Sequence, residues 1–92
     1  MTTYFLFGKY SQGAIKDISS ERSAKANAII EANGGKFITG YALLGEIDLV
    51  LIVEFPGTEQ AMKSAVDLAK ILGIGFTTAP AVSVEEFDRL IV

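Results

Sequence analysis

The sequence predicts an α+β fold, with a four-stranded antiparallel sheet that carries helices on one face. The main observation is the run from Ile47 to Phe55, which is wholly aliphatic between Asp48 and Glu54. It is too short and too rich in β-branched residues for a helix. Because strand side chains alternate between two faces, this strand needs burial on both. A chain of 92 residues has few elements for that, so we expect a second copy on one face.

The first strand is predicted over residues 3–10, where apolar side chains occupy both faces. Tyr4 and Leu6 share one face, and the neighbouring phenylalanines share the other. Ser11 follows and is a good cap for a short helical turn that we expect to run through Ile18.

The first long helix begins after Ser19 or Ser20, both of which are favourable caps. It ends near Asn33, because Gly34-Gly35 is a typical C-terminal stop. Its inward stripe extends one turn toward the N-terminus through Arg22 and otherwise consists of Ala26, Ile29, Ile30 and Asn33.

A hairpin is predicted next, with strands over residues 36–44 and 47–55. Gly45-Glu46 is a two-residue link of the kind that forms type II′ turns. This turn would place Leu43 opposite Asp48 and Tyr41 opposite Val50.

The rest of the chain predicts a helix, an edge strand and a short terminal helix over residues 84–90. Thr58 caps the helix after Pro56-Gly57, and Gly73 ends it. The fourth strand covers residues 74–82 and contains Pro80, which favours a sheet edge. The apolar stripe of the helix, which we expect to be buried, is broad: Ala61, Met62, Ala65, Val66, Leu68, Ala69 and Leu72.

The resulting order, βαββαβ, predicts a single ferredoxin-like domain over residues 1–92. Right-handed crossovers give the strand order 4-1-3-2, with the two most apolar strands in the centre.

Composition excludes some classes of function. Half of the residues are hydrophobic, the net charge is −3, and the eight basic residues are scattered. We therefore expect no nucleic-acid binding and no membrane span.

Cysteine and histidine are both absent. Without these ligands we expect no haem, no iron–sulfur cluster, no tightly bound metal and no other cofactor. The lack of cysteine suits a reducing cytoplasm. Acid–base chemistry, if there is any, falls to carboxylates, lysine or tyrosine.

Several short motifs together resemble the GYD-domain family, named for a Gly-Tyr-Asp signature at the hairpin. Gly45 and Asp48 fit that signature, whereas Ile47 stands in place of its tyrosine. The other motifs are Tyr10-Ser11-Gln12-Gly13, Arg22, Gly34-Gly35-Lys36 and Pro56. The resemblance implies a dimeric α/β barrel, in which two sheets pack face to face. Its superfamily includes cofactor-free monooxygenases, isomerases, haem enzymes and small-molecule sensors.

Arg22 and Asp48 are the sharpest site candidates. The first lies on the inward stripe of a helix, where a cation needs a partner, and could bind a ligand carboxylate. An ion pair with Asp48, Glu54 or a carboxylate of a partner chain is the more favoured interpretation. Asp48, at the start of an apolar strand, could act as a base. We favour instead a carboxylate that accepts hydrogen bonds and fixes the hairpin. The topology places both residues at one end of the sheet.

Tyr10 and Tyr41 could orient a ligand through their hydroxyls, although strand tyrosines more often serve packing. An apolar pocket could be lined by Met62, Phe5, Phe7, Phe37 and Phe76, but core is the favoured interpretation. Three functions remain open: a homo-oligomer that binds a small apolar or anionic ligand, a cofactor-independent monooxygenase- or isomerase-like enzyme, and a structural or interaction subunit. A cavity between helices and sheet would favour the first two.

Overall fold

The computed structural model describes residues 1–15 and 19–92. The last residues of the predicted short turn, 16–18, lie outside this part. The elements confirm the predicted ferredoxin-like α+β class, with a four-stranded antiparallel sheet. They are β1 (Thr2–Tyr10), α1 (Gln12–Ile15), α2 (Ser20–Ala32), β2 (Lys36–Ala42), β3 (Leu49–Phe55), α3 (Thr58–Leu72), β4 (Ile74–Ala81) and α4 (Val84–Ile91).

The sheet has the strand order β2-β3-β1-β4, and every neighbouring pair is antiparallel. This is the predicted order, with the two most apolar strands in the centre. Pro80 lies on the edge strand β4, where a missing backbone donor is tolerated. Tyr41 pairs with Val50, as the predicted register requires.

The core lies between one sheet face and the helices α2 and α3. Leu6, Val53 and Phe55 are fully buried from the sheet side, and Leu68 meets them from α3. The ring of Tyr4 packs edge-on against Phe55, with 6.0 Å between ring centroids. The predicted division of both central strands into a helix-facing and an outer face is therefore confirmed.

Capping residues set the ends of the helices much as the sequence indicates. The hydroxyl of Ser11 accepts a hydrogen bond from the backbone N–H of Ala14, and that of Ser19 accepts one from Arg22. Gly34 and Gly73 have φ angles of 82° and 72°, which side-chain-bearing residues rarely adopt. These two glycines therefore allow the chain to leave α2 and α3 and return to the sheet.

The buried stripe of α3 is narrower than predicted. Only Ala61, Ser64, Leu68 and Leu72 are buried, whereas Met62 and Val66 are 63% and 50% exposed. The helix lies on one sheet face, so only one side of it contacts the core. The N-cap is Gly57 rather than Thr58, which is the first helical residue. The hydroxyl oxygen of Thr58 lies 3.5 Å from the hydroxyl oxygen of Tyr4.

The hairpin between β2 and β3 is longer than the predicted two-residue turn. The strands end at Ala42 and begin again at Leu49, which leaves residues 43–48 as the loop. Leu43 still donates to the carbonyl of Asp48, so the predicted register continues. Gly45 has a φ angle of 130°, whereas the first central residue of a type II′ turn needs about 60°. The backbone therefore does not form that turn.

Two apolar surfaces remain outside this core. Phe5 pairs with Ile52, and Phe7 with Val50, on the sheet face that no helix covers; we call it the open face. The helix α4 follows the edge strand, and none of its residues is buried. Within the described residues, no helix is both long and apolar enough to cross a bilayer.

Candidate functional site

A cavity of about 480 Å³ lies between α2 and the sheet. Its walls combine apolar side chains from the sheet and from the end of α3 with small and polar residues of α2. The apolar lining includes Leu49, Leu51, Leu72, Ile74, Phe37 and Phe76. This size falls in the range of about 300–1,000 Å³ that small-molecule sites occupy. The pocket alternative therefore holds for Phe37 and Phe76, and Phe76 also packs against the core, as the favoured interpretation predicted.

The cavity exists because α2 presents small side chains to the sheet. Ala24, Ala26 and Ser23 line it, and Ile30 is the one fully buried residue of this helix. The predicted inward stripe is otherwise half-buried, including Ile29 and Asn33. Short side chains cannot span the gap between helix and strands, which therefore stays open.

Arg22 places a cation in the cavity wall. Its guanidinium donates a hydrogen bond to the carbonyl of Ala14 and lies 4.8 Å from the ring centroid of Tyr10. Both contacts orient the side chain. Among the described residues, no carboxylate forms an ion pair with it. The ion pair with Asp48 or Glu54 that the sequence favoured is therefore not found, whereas a pair with a carboxylate of a partner chain stays a prediction.

Asp48 has the structural role that the sequence favoured. One carboxylate oxygen accepts a hydrogen bond of 2.9 Å from the backbone N–H of Tyr10. Its own backbone N–H donates to the carbonyl of Gly8, also at 2.9 Å. These bonds fix the hairpin loop to the last residues of β1. Asp48 itself does not line the cavity.

Tyr10 brings the two sharpest candidates together. Its ring lies under the Arg22 guanidinium, and its backbone N–H binds the Asp48 carboxylate. The prediction that both residues lie at one end of the sheet is therefore confirmed. Of the four predicted binding residues, Arg22, Tyr10 and Tyr41 line the cavity.

Sequence reasoning missed Asn27, which also lines the cavity. Its side-chain oxygen is buried and has no hydrogen-bond partner among the described residues. The available indication was the pattern of α2, in which Ser23 and Asn27 follow Arg22 on neighbouring turns beside alanines. A helix with so many small and polar residues near its inward stripe is typical of an incompletely filled core.

One carboxylate links the two long helices outside the cavity. Asp67 accepts hydrogen bonds from Lys63 at 2.8 Å and from Asn33 at 3.2 Å. These bonds, with the lysine as the larger cause, hold the pKa of Asp67 below its usual range. In the part of the chain that the structure describes, no group of three or more acidic side chains is arranged to hold a metal ion.

Comparison with protein families gives a match across almost the whole chain. The sequence model of the GYD domain matches residues 4–91. The chain belongs to the GYD-domain family. In this GYD-domain protein, the signature aspartate is the residue that binds the end of β1. None of the curated proteins compared with the chain matches it.

Among solved structures, the GYD-domain chain is similar to the leucine response regulatory protein (LrpA) of Mycobacterium tuberculosis. The TM-score is 0.59 at 11% sequence identity, so the likeness concerns the fold alone. The match covers 90% of this chain and 51% of LrpA. The GYD-domain chain thus spans about half the length of that structure.

Proposed function

We propose that this GYD-domain protein is a homodimer that binds a small apolar molecule with an anionic group. The observation that carries the proposal is the cavity under α2, which combines an apolar lining with the guanidinium of Arg22. A carboxylate can receive two parallel hydrogen bonds from a guanidinium. The apolar walls would take the remainder of the ligand.

The geometry supports binding more than catalysis. The polar side chains of the cavity are Tyr10, Ser19, Arg22, Ser23, Asn27 and Tyr41. They suit hydrogen bonding and charge recognition, and Asp48, the proposed base, is engaged with a backbone N–H. A monooxygenase- or isomerase-like activity remains the second proposal, with a tyrosine hydroxyl as its acid–base group. A cytoplasmic location remains part of the proposal and follows from composition.

Isothermal titration calorimetry with matched ligands tests the site. Benzoate and octanoate provide the anionic group, whereas benzamide keeps the shape of benzoate without its charge. Leucine belongs in the panel because the name of LrpA refers to it. We expect at least one carboxylate to bind, and the neutral analogue to bind about tenfold more weakly or not at all.

Variants then assign the binding to the cavity. Arg22→Ala should weaken carboxylate binding by at least about tenfold, because the charge-assisted hydrogen bonds are lost. Arg22→Lys keeps the charge but loses the planar guanidinium. Its affinity for the carboxylate should therefore lie between those of the wild type and Arg22→Ala. Lys25→Ala is the matched control, since this exposed cation lies on the same helix outside the cavity. Equal affinity for all three variants would contradict the proposed site.

The open face supports the homodimer. Phe5 and Phe7 lie side by side on it, with ring centroids 6.2 Å apart, and Ile52 lies across from Phe5. These three side chains are half-buried, whereas Val50, across from Phe7, is already buried within its own chain. A large apolar sheet face is typical of stable interfaces. We expect Phe7→Glu to convert the dimer to a monomer in sedimentation velocity. Val66→Glu, on the exposed side of α3, introduces the same charge away from this face and should leave the dimer intact.

A further inference from the structure

We propose that the ligand of the cavity under α2 is an aromatic carboxylate, whose ring lies on a floor of aromatic side chains. The inference rests on the proposed binding function and names the chemical class of the ligand. It separates a flat aromatic ring from an aliphatic chain or a saturated ring, which apolar walls alone would accept equally well.

The first observation is that the ring of Phe76 occupies the space above Gly8. The two residues pair across β4 and β1, and Gly8 lies on the sheet face of Leu6, which the helices cover. The Cε1 atom of Phe76 lies 2.6 Å from the position that a Cβ would have on Gly8. The ring therefore lies across the strand, where a side chain would otherwise stand. Phe76 is half-buried and lines the cavity.

The second observation is that Phe37 and Gly40 repeat this arrangement on β2. Their partners on β3, Val53 and Leu51, both belong to the core, so they too lie on the helix-covered face. The Cζ atom of Phe37 lies 3.3 Å from the position that a Cβ would have on Gly40, and both residues line the cavity. Two rings, one from each edge strand, thus form part of the cavity floor in place of upright side chains.

Tyr10 extends the aromatic floor to the cation. It follows Gly8 by two residues on the same face of β1, a separation of about 7 Å. The ring of Phe76, which lies over Gly8, is therefore a neighbour of Tyr10. The guanidinium of Arg22 lies 4.8 Å from the centroid of the Tyr10 ring. The charge thus stands at one end of a surface that continues along aromatic rings.

The geometry of a carboxylate on Arg22 selects a conjugated ring. A guanidinium and a carboxylate form two parallel hydrogen bonds in one plane. In an aromatic acid the ring is conjugated with the carboxylate, so it extends that plane away from Arg22 and along the floor. In an aliphatic acid the carbon beside the carboxylate is tetrahedral, so the chain leaves the plane. Stacking and edge contacts with Phe76 and Phe37 add attraction beyond the buried area.

Calorimetry with matched acids tests the class of ligand. Benzoate and cyclohexanecarboxylate carry the same anionic group on a six-membered carbon ring, but only benzoate is flat and aromatic. The saturated ring has at least as much apolar surface, so transfer from water alone would favour it. We expect benzoate to bind about three- to tenfold more tightly than cyclohexanecarboxylate, and 2-naphthoate to bind more tightly than benzoate.

Leucine variants assign this preference to the floor. The double variant Phe37→Leu/Phe76→Leu keeps apolar side chains but removes both rings, so the two six-membered acids should bind with about equal affinity. Phe87→Leu is the matched control, because this phenylalanine is 53% exposed on α4 and lies outside the cavity. It should keep the full preference for benzoate. A preference that persists in the folded double variant would overturn the inference.

Proton NMR on the wild-type protein gives a test that does not depend on the folding of a variant. Protons above an aromatic face are shifted upfield by its ring current, so the 2-naphthoate signals should move upfield on binding. The absence of this shift, or binding of cyclohexanecarboxylate as tight as that of benzoate, would overturn the aromatic class and leave the carboxylate site standing. If neither these acids nor octanoate bind, the proposed function and this inference both fail.

Discussion

The helices α3 and α2 lie on the same sheet face but pack on it in different ways. The first buries Ala61, Ser64, Leu68 and Leu72 and forms a continuous core with the sheet. The second fully buries Ile30 and leaves a cavity of about 480 Å³. The difference shows how two helices on one sheet face can divide their roles: α3 fills the core, and α2 leaves the space in which we propose the ligand site. The predictions that follow test this division of roles.

The largest effect is expected from deleting a core side chain of α3. Leu68 has no exposed surface, so Leu68→Ala should lower the free energy of unfolding by about 3–4 kcal/mol. Ile29→Ala on α2 removes a half-buried side chain and should lower it by about half as much. Urea unfolding followed by circular dichroism measures both. Equal losses at the two positions would contradict a difference in packing between the helices.

Adding volume should also distinguish the two helices. Ala61 is 1% exposed on α3, so Ala61→Leu should overpack the core and cost about 1–3 kcal/mol. Ala26 lines the cavity on α2, and Ala26→Leu has room for the added atoms. Its unfolding free energy should change by less than about 1 kcal/mol, while carboxylate binding in calorimetry falls. A large destabilisation by Ala26→Leu would show that the cavity is not available space.

Asp48 should matter for stability rather than for ligand affinity. Asp48→Ala removes the acceptor of the Tyr10 N–H bond and should cost about 1–2 kcal/mol in urea unfolding. Asp48→Asn keeps an acceptor oxygen and should retain most of that stability. Calorimetry provides the control, because Asp48 lies outside the cavity lining. Loss of binding in a stably folded Asp48→Asn protein would contradict the structural role.

The smallest effect concerns the link between the two helices at Asp67. Because its pKa is lowered below the ordinary value of 3.8, the carboxylate stabilises the fold above that pH. The contribution disappears as the pH falls through the folded-state pKa. Asp67→Asn should therefore be slightly less stable than the wild type at neutral pH and equal to it in acid. Urea midpoints measured from pH 7 down to about pH 2 test this. A difference that persists in acid would contradict the linkage.

The sequence predicted the hairpin register and the caps at Ser11 and Ser19 because these depend on local chemistry, and the strand order because crossovers are right-handed. Alternation defines the strand faces, and serine hydroxyls satisfy unpaired backbone donors. The sequence also predicted that Arg22 and Asp48 lie at one end of the sheet, since connectivity alone fixes which strand ends meet. The prediction of burial was wrong at Met62 and Val66, because their burial depends on which side of α3 the sheet covers. Local pattern cannot decide this when the apolar stripe is broad.

Alternation, glycine stops and connectivity thus determined the ferredoxin-like fold of this GYD-domain protein from sequence alone. Only the tertiary structure decided that Phe37 and Phe76 line a cavity and that Arg22 stacks on Tyr10. It also showed that α4 has no buried residue. These facts depend on the distance between layers that are remote in sequence. A residue's type sets its preference for burial, but the space around it is fixed by all the side chains that meet there.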